Sequence, residues 1–260
     1  MTRLISALVL LPVVAVTIWL LPPLATVVLA EVILLVAVLE YAGLAAHAGI
    51  AVARVPVAAI ALATAATLAL APAALPVVLM VSGMVIALTQ LVPGRTGGGM
   101  PEVGAAAFAL VYLAAPIGVL ADLRVDHGRE VVSLLLATVM ASDTAQYYAG
   151  RGFGRRLLAP TISPKKTVEG AVAGVLAGVA MLGVVGAWWL PAVTLEVRLA
   201  LGGAVATLGI VGDLFESRLK RASGVKDASG IIPGHGGVLD RIDGLVFATP
   251  VFYVAVRLAE

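Results

Sequence analysis

The sequence contains no cysteine, which excludes disulfides, iron–sulfur clusters and thiolate metal sites. Charge is scarce as well. Asp, Glu, Lys and Arg make up 12% of the 260 residues, against roughly 25% in an ordinary soluble domain, and this excludes a soluble globular protein. No stretch reads as a soluble domain. Short segments of alternating polarity, which a transmembrane barrel would need, are also missing, and long unbroken apolar runs stand in their place. Hydrophobic residues reach 61% and the mean hydropathy is +1.09. Apolar surface on this scale cannot be hidden in one core of this size, but it suits a chain dissolved in lipid, where each helical span takes about 20 residues.

Apolar runs between Pro, Gly and charge clusters predict an all-α, polytopic membrane protein. About nine spans are expected, near 4–21, 24–45, 55–71, 75–92, 104–120, 131–150, 170–190, 199–214 and 245–257. The first run resembles a signal peptide behind Arg3, yet so many later spans favour an uncleaved first helix. Of the 17 Lys and Arg, five lie between Arg151 and Lys166 and five between Arg218 and Arg241. Two spans separate these loops, so both are expected on one face, and the positive-inside rule makes that face cytoplasmic. Arg54 and Arg95 then fall in inner loops, and Arg124 and Arg129 in an outer one beside Asp122, Asp126 and Glu130. Trp188 and Trp189 close the seventh span at the opposite interface. Residues 1–130 read as N-terminal helices and 131–260 as a catalytic region within one membrane domain. Gly170, Gly174 and Gly178 form a small-residue face suited to close helix packing, within one subunit or between two.

Ionisable groups in a membrane are costly, and each one needs a reason. Glu31 and Glu40 are nine residues apart on one helix, on opposite faces, so they do not form a single site; Glu40 reads as an interfacial or structural carboxylate. Asp143 shares a helix face with Gln146 and Tyr147, as part of a site or of a structural hydrogen-bond network. The first basic loop, Gly150 to Gly170, is a weak signal that fits phosphate or anionic lipid or simply topology. The second segment says more. Asp213, Ser217 and Lys220 share one helical face, Arg221 follows, then Lys226-Asp227, the turn Pro233-Gly234-His235-Gly236-Gly237, and Asp240-Arg241-Ile242-Asp243. From Asp213 to Asp243 there are five acids and five bases. Carboxylates bracketing a glycine turn, interleaved with Lys and Arg, are what a magnesium-bound polyphosphate requires: oxygen ligands for the metal, cations for residual phosphate charge, and backbone donors.

The run Ser217-x-Leu219-Lys220-Arg221, Lys226-Asp227, Pro233-x-His235-Gly236-Gly237-x-x-Asp240-Arg241-x-Asp243 resembles the signature of phosphatidate cytidylyltransferases, or CDP-diacylglycerol synthases. The stretch from Asp143 through Gly150-Arg151 to Ser163-Pro164-Lys165-Lys166-Thr167-x-Glu169-Gly170 is similar too, although the family often has Ala where this chain has Gln146. The strong resemblance covers roughly residues 143–247. It implies that CTP and phosphatidic acid give CDP-diacylglycerol and pyrophosphate, with magnesium, at the cytoplasmic face of the cell membrane. By this resemblance Asp213 and Asp240 coordinate the metal, while Asp243 and Asp227 bind a second cation or orient Lys and Arg. Lys220, Arg221, Lys226 and Arg241 hold phosphate, and His235 binds the departing pyrophosphate in its glycine turn. Ser217, Gly236, Gly237, Asp143, Lys165, Lys166 and Glu169 complete the pocket. The family also implies a homodimer in the lipid bilayer, and no nucleic-acid partner is expected.

Phosphatidate brings an already anionic nucleophile, so attack on the α-phosphorus of CTP needs no strong base, and carboxylates suit metal binding better than proton transfer. A CDP-alcohol phosphatidyltransferase would carry an Asp-Gly, Ala-Arg, Gly, Asp, Asp pattern that does not occur here. A CTP-dependent lipid or polyprenol kinase and an anionic-solute transporter are the alternative readings; a transporter would be expected to show mid-membrane sites or repeated halves.

Overall fold

The computed structural model describes residues 2–91, 99–232 and 236–259. In chain order the helices are α1 (Thr2–Trp19), α2 (Pro23–His47), α3 (Arg54–Leu70), α4 (Leu75–Thr89), α5 (Met100–Ala109), α6 (Ala115–Asp126), α7 (Arg129–Phe153), α8 (Val168–Val184), α9 (Gly186–Trp189), α10 (Leu195–Ala222) and α11 (Leu239–Leu258). A π-helical turn, Leu110–Ala114, joins α5 to α6 in one continuous rod. Between α7 and α8 the chain forms an antiparallel hairpin of β1 (Leu157–Ala159) and β2 (Ser163–Thr167), where a loop was expected.

Each expected span falls largely on a helix. Among the described residues, four helical stretches are long and apolar enough to cross a membrane: Pro23–His47, Pro72–Thr89, Met100–Asp126 and Leu195–Ala222. Helices α3 and α8 have only 17 residues each, and α7 carries Ser142, Asp143, Thr144 and Gln146 in its second half. The helical membrane class therefore stands, while a count of about nine crossings is not reached by this measure. The outer surface agrees with the class: Val77, Met80, Met84 and Leu88 on α4 are all exposed, a contiguous apolar stripe that only lipid or protein would tolerate.

The residues sort into two compact units, Met1–Asp126 with Leu219–Arg241, and His127–Arg218 with Ile242–Glu260. The first has a core that includes Leu34, Val38, Val57, Leu113 and Leu123. In it α6 crosses α3 closely, because a Cβ on Gly118 would sit 2.8 Å from the Ala65 Cα. Arg124, expected in an outer loop, instead lies in α6 at 8% exposure. Its guanidinium donates to the carbonyls of Ile18 (3.2 Å) and Leu21 (3.4 Å) at the end of α1, so it is a buried helix cap within α6 and not a loop charge.

The second unit is packed around Val132, Leu134, Leu135, Leu182 and Phe252. Its glycine face is used within the chain. Cβ atoms on Gly170 and Gly174 would meet Gln146 O at 2.7 Å and Ser142 Oγ at 3.0 Å on α7, and one on Gly178 would meet Ala206 Cβ at 2.7 Å on α10.

Candidate active site

In the second unit, two side chains tie the hairpin to the following helix, one from the end of β2 and one from the first turn of α8. Thr167 Oγ1 accepts from Gly170 N (3.1 Å) and caps α8. Glu169, in the first turn, accepts from the amides of Arg155 (3.0 Å) and Arg156 (3.2 Å), and these hydrogen bonds hold its carboxyl below the usual range. Alternation along β2 separates the two lysines: Lys165 is exposed, whereas Lys166 turns inward and its Nζ lies 2.6 Å from Asp213 Oδ2. Ser217 Oγ donates to the other oxygen of Asp213 at a long 3.4 Å.

Helix α10 reaches α11 through glycine. A Cβ on Gly212 would lie 2.4 Å from Asp243 O, and one on Gly244 would lie 3.2 Å from Gly209 O, so the backbones touch and Asp213 comes next to Asp243. The charges of Asp213, Asp143 and Lys166 all act on Asp243, which also accepts from Gly244 N (2.8 Å). Three of the sequence candidates, Asp213, Asp243 and Lys166, thus come together, and the charge of Asp143 reaches them from α7. An apolar groove of about 420 Å³ is lined by Val168, Val172 and Leu176 of α8 and by Ile210 and Leu214 of α10.

In the first unit, α10 ends in a turn closed by Val225 N to Lys220 O (3.0 Å) and Gly224 N to Arg221 O (3.1 Å), with Gly224 at φ +70°; this paired pattern with a left-handed glycine is a Schellman cap. Lys220 is thereby fixed at the last turn, and its Nζ bonds Asp240 Oδ1. The other oxygen of Asp240 accepts from Gly237 N (2.7 Å) and Ala228 N (3.0 Å). Burial pushes the Asp240 carboxyl up, but the Lys220 ammonium and these amides outweigh it, and the group is held below the usual range. Gly236 has φ +81°, and a Cβ there would lie 2.6 Å from Asp240 Oδ2 and 3.6 Å from the Asp227 Cβ. Arg221, Lys226, Asp227 and Arg241 are exposed around this turn; Arg221 donates to Val225 O (3.3 Å). His235 lies outside the described residues.

One participant was given no site role from sequence. Glu40 of α2, 4% exposed, accepts from Ser229 Oγ (2.5 Å), Val238 N (3.0 Å) and Leu239 N (2.7 Å). The only sequence signal for it was a carboxylate in an apolar span.

Among the described residues, no group of three or more His, Cys, Asp or Glu is placed to hold a metal ion. The donor chemistry of Asp213 and Asp243 is nevertheless of the kind a hard divalent cation takes: two carboxylates stand beside one ammonium, and both retain free acceptor capacity. Asp240 fits less well, since it is the more buried carboxylate and accepts from three protein donors, Lys220 Nζ, Gly237 N and Ala228 N, where Asp213 has Lys166 and a long bond from Ser217.

The sequence pattern of the cytidylyltransferase family matches residues 1–259. The phosphatidate cytidylyltransferase of Thermotoga maritima is 34% identical over 189 residues, 70% of this chain and 69% of that protein. That of Synechocystis is 46% identical over 132 residues, 50% of this chain and 44% of the relative. An uncharacterized Escherichia coli protein, YnbB, is 37% identical over 181 residues, 67% of this chain and 60% of that protein. The matched stretches thus span between 44% and 69% of these relatives' lengths.

Proposed function

Because the chain belongs to the cytidylyltransferase family, we propose that it transfers the cytidylyl group of CTP to phosphatidic acid, giving CDP-diacylglycerol and pyrophosphate at the cytoplasmic face of a membrane. The observation that carries this reading is the pair of Lys–Asp contacts, the half-exposed Lys166–Asp213 and the buried Lys220–Asp240, at the edges of apolar helices. Such paired charge, flanked by exposed Arg and Lys and a glycine turn, suits polyphosphate chemistry beside lipid.

An anionic oxygen of the phosphatidate headgroup attacks the α-phosphorus of CTP. The bond from that phosphorus to the bridging oxygen breaks, and pyrophosphate leaves with the electron pair. No proton needs to be removed from the nucleophile. The protein's work is to hold two anions together and to neutralise the departing one. Lys220, Arg221, Lys226 and Arg241 hold phosphate oxygens, with Asp227 orienting them and the amides of Gly236 and Gly237 serving as donors. Lys166 and Lys165 bind phosphate on the hairpin side, Asp143 and Ser217 support Asp213, and Glu169 keeps the hairpin in place. The lipid tails lie in the groove along α8 and α10. Magnesium, held by Asp213 and Asp243, would supply charge neutralisation for the triphosphate. Sequence pairs Asp240 with Asp213 as ligands; the second ligand is moved to Asp243 because Asp240 already accepts from Lys220, Ala228 and Gly237.

Purified protein in detergent should release pyrophosphate from CTP only when both phosphatidate and magnesium are present. Release that ignores phosphatidate, or none at all, would overturn the reading.

A further inference from the structure

Resting on that reading, we infer that Glu40 is a positioning residue for the reaction: its buried carboxylate sets the turn that carries Gly237 and Asp240. A carboxylate in a largely apolar helix is costly unless its oxygens are fully hydrogen-bonded. Glu40 meets this condition with donors from one place only. Oε1 takes Ser229 Oγ and Val238 N, and Oε2 takes Leu239 N. The two amides are orphan donors at the start of α11, where a negative charge is also favoured by the helix dipole.

Two further observations make this contact more than a helix cap. A Cβ on Gly237 would lie 2.6 Å from both Glu40 oxygens, so glycine is required there to make room for the carboxylate. The amide of the same Gly237 donates to Asp240 Oδ2, and Asp240 holds Lys220. Glu40, Gly237, Asp240 and Lys220 are therefore linked in one chain of contacts. The anchor is itself fixed: Tyr41, the next residue on α2, donates from its hydroxyl to Ala105 O (3.1 Å) and packs among Phe108 and Tyr112. Glu40 touches no reacting atom in this account. It acts through the turn, and a change there should alter how the triphosphate is held while leaving the lipid side alone.

The test is Glu40→Gln, with Ser229→Ala as a milder second variant, assayed for kcat and for KM toward CTP and phosphatidate separately. Gln keeps the shape but sets an NH2 group against a backbone N–H. Glu40→Gln should raise KM for CTP roughly tenfold and lower kcat roughly 10–100-fold, as supporting contacts of a site do, with KM for phosphatidate unchanged. Ser229→Ala should move the same two parameters by a few-fold. Hydrogen exchange at the amides of Val238 and Leu239 should accelerate in Glu40→Gln. A simple loss of folded protein would lower kcat and leave both KM values where they were, which would overturn the positioning role. Unchanged kinetics and exchange in both variants would overturn it too. Absence of turnover by the wild-type chain in the same assay would instead overturn the cytidylyltransferase reading on which the inference rests.

Discussion

The two Lys–Asp pairs look alike in composition and differ in burial and support. Asp240 is wrapped by Lys220 and two backbone amides, with a glycine turn folded against it. Asp213 holds Lys166 and a long bond from Ser217, and has Asp243 for a neighbour. One carboxylate is satisfied by the protein, and the other lies beside a repelling charge that a cation would relieve. An identical pair of residue types can thus serve as framework in one place and as ligand-ready chemistry in another. Which role applies depends on how many donors the surrounding backbone directs at the carboxylate.

Removing the open carboxylate should have the largest effect on turnover. Asp213→Asn takes away a proposed metal ligand and the partner of Lys166, and kcat should fall by at least about 100-fold. Its apparent magnesium affinity, read from the dependence of pyrophosphate release on metal concentration, should weaken as well. Asp240→Asn sharpens the contrast, because it should lower both activity and stability. Breaking a buried pair costs about 3 kcal/mol, so its thermal midpoint in detergent should drop well below that of Asp213→Asn, while its magnesium dependence stays near wild type.

The framework role also sets a pH dependence. Since Asp240 is held below its ordinary value in the folded chain, the stability that its charge contributes is full above the ordinary aspartate range. It is lost as pH falls through the lower folded value. A scan of the thermal midpoint from neutral into acid should show this loss in the wild type, and Asp240→Asn should flatten it.

Smaller effects are expected on the hairpin. Lys166→Ala strands Asp213 and should cut activity about tenfold or more, whereas Lys165→Ala, on the exposed side of β2, should stay within a few-fold. Thr167→Ala removes the cap of α8 and should cost about 1 kcal/mol of stability with little change in KM for CTP. Equal effects of the two lysine substitutions would erase the distinction between the inward and outward faces of β2.

Much of the site was legible because its signals are local. Asp213, Ser217 and Lys220 recur on one helical face, Gly236 lies in a glycine turn where left-handed backbone is needed, and clustered charge stands out in an apolar chain. The helical membrane class follows from the same scarcity of charge. What escaped was long-range or required packing to see. Glu40 meets Val238 and Leu239 across 198 and 199 positions, and no spacing rule reaches that far. Arg124 looked like a loop charge because a buried cap on α1, 106 residues away, leaves no mark in its own neighbourhood. The hairpin is too short, and too rich in Pro and Lys, for strand patterning to register. The separation of Lys165 from Lys166 appears only once β2 is known to be a strand.

In cytidylyl transfer the α-phosphate of CTP, and not the γ-phosphate, passes to the lipid. Purified protein should be given phosphatidate, magnesium and CTP radiolabelled on either phosphate, and the lipid and aqueous phases should then be counted. Cytidylyl transfer predicts α-label in the lipid phase and γ-label in pyrophosphate in equal amounts. The appearance of γ-label in the lipid would identify a kinase and contradict this account.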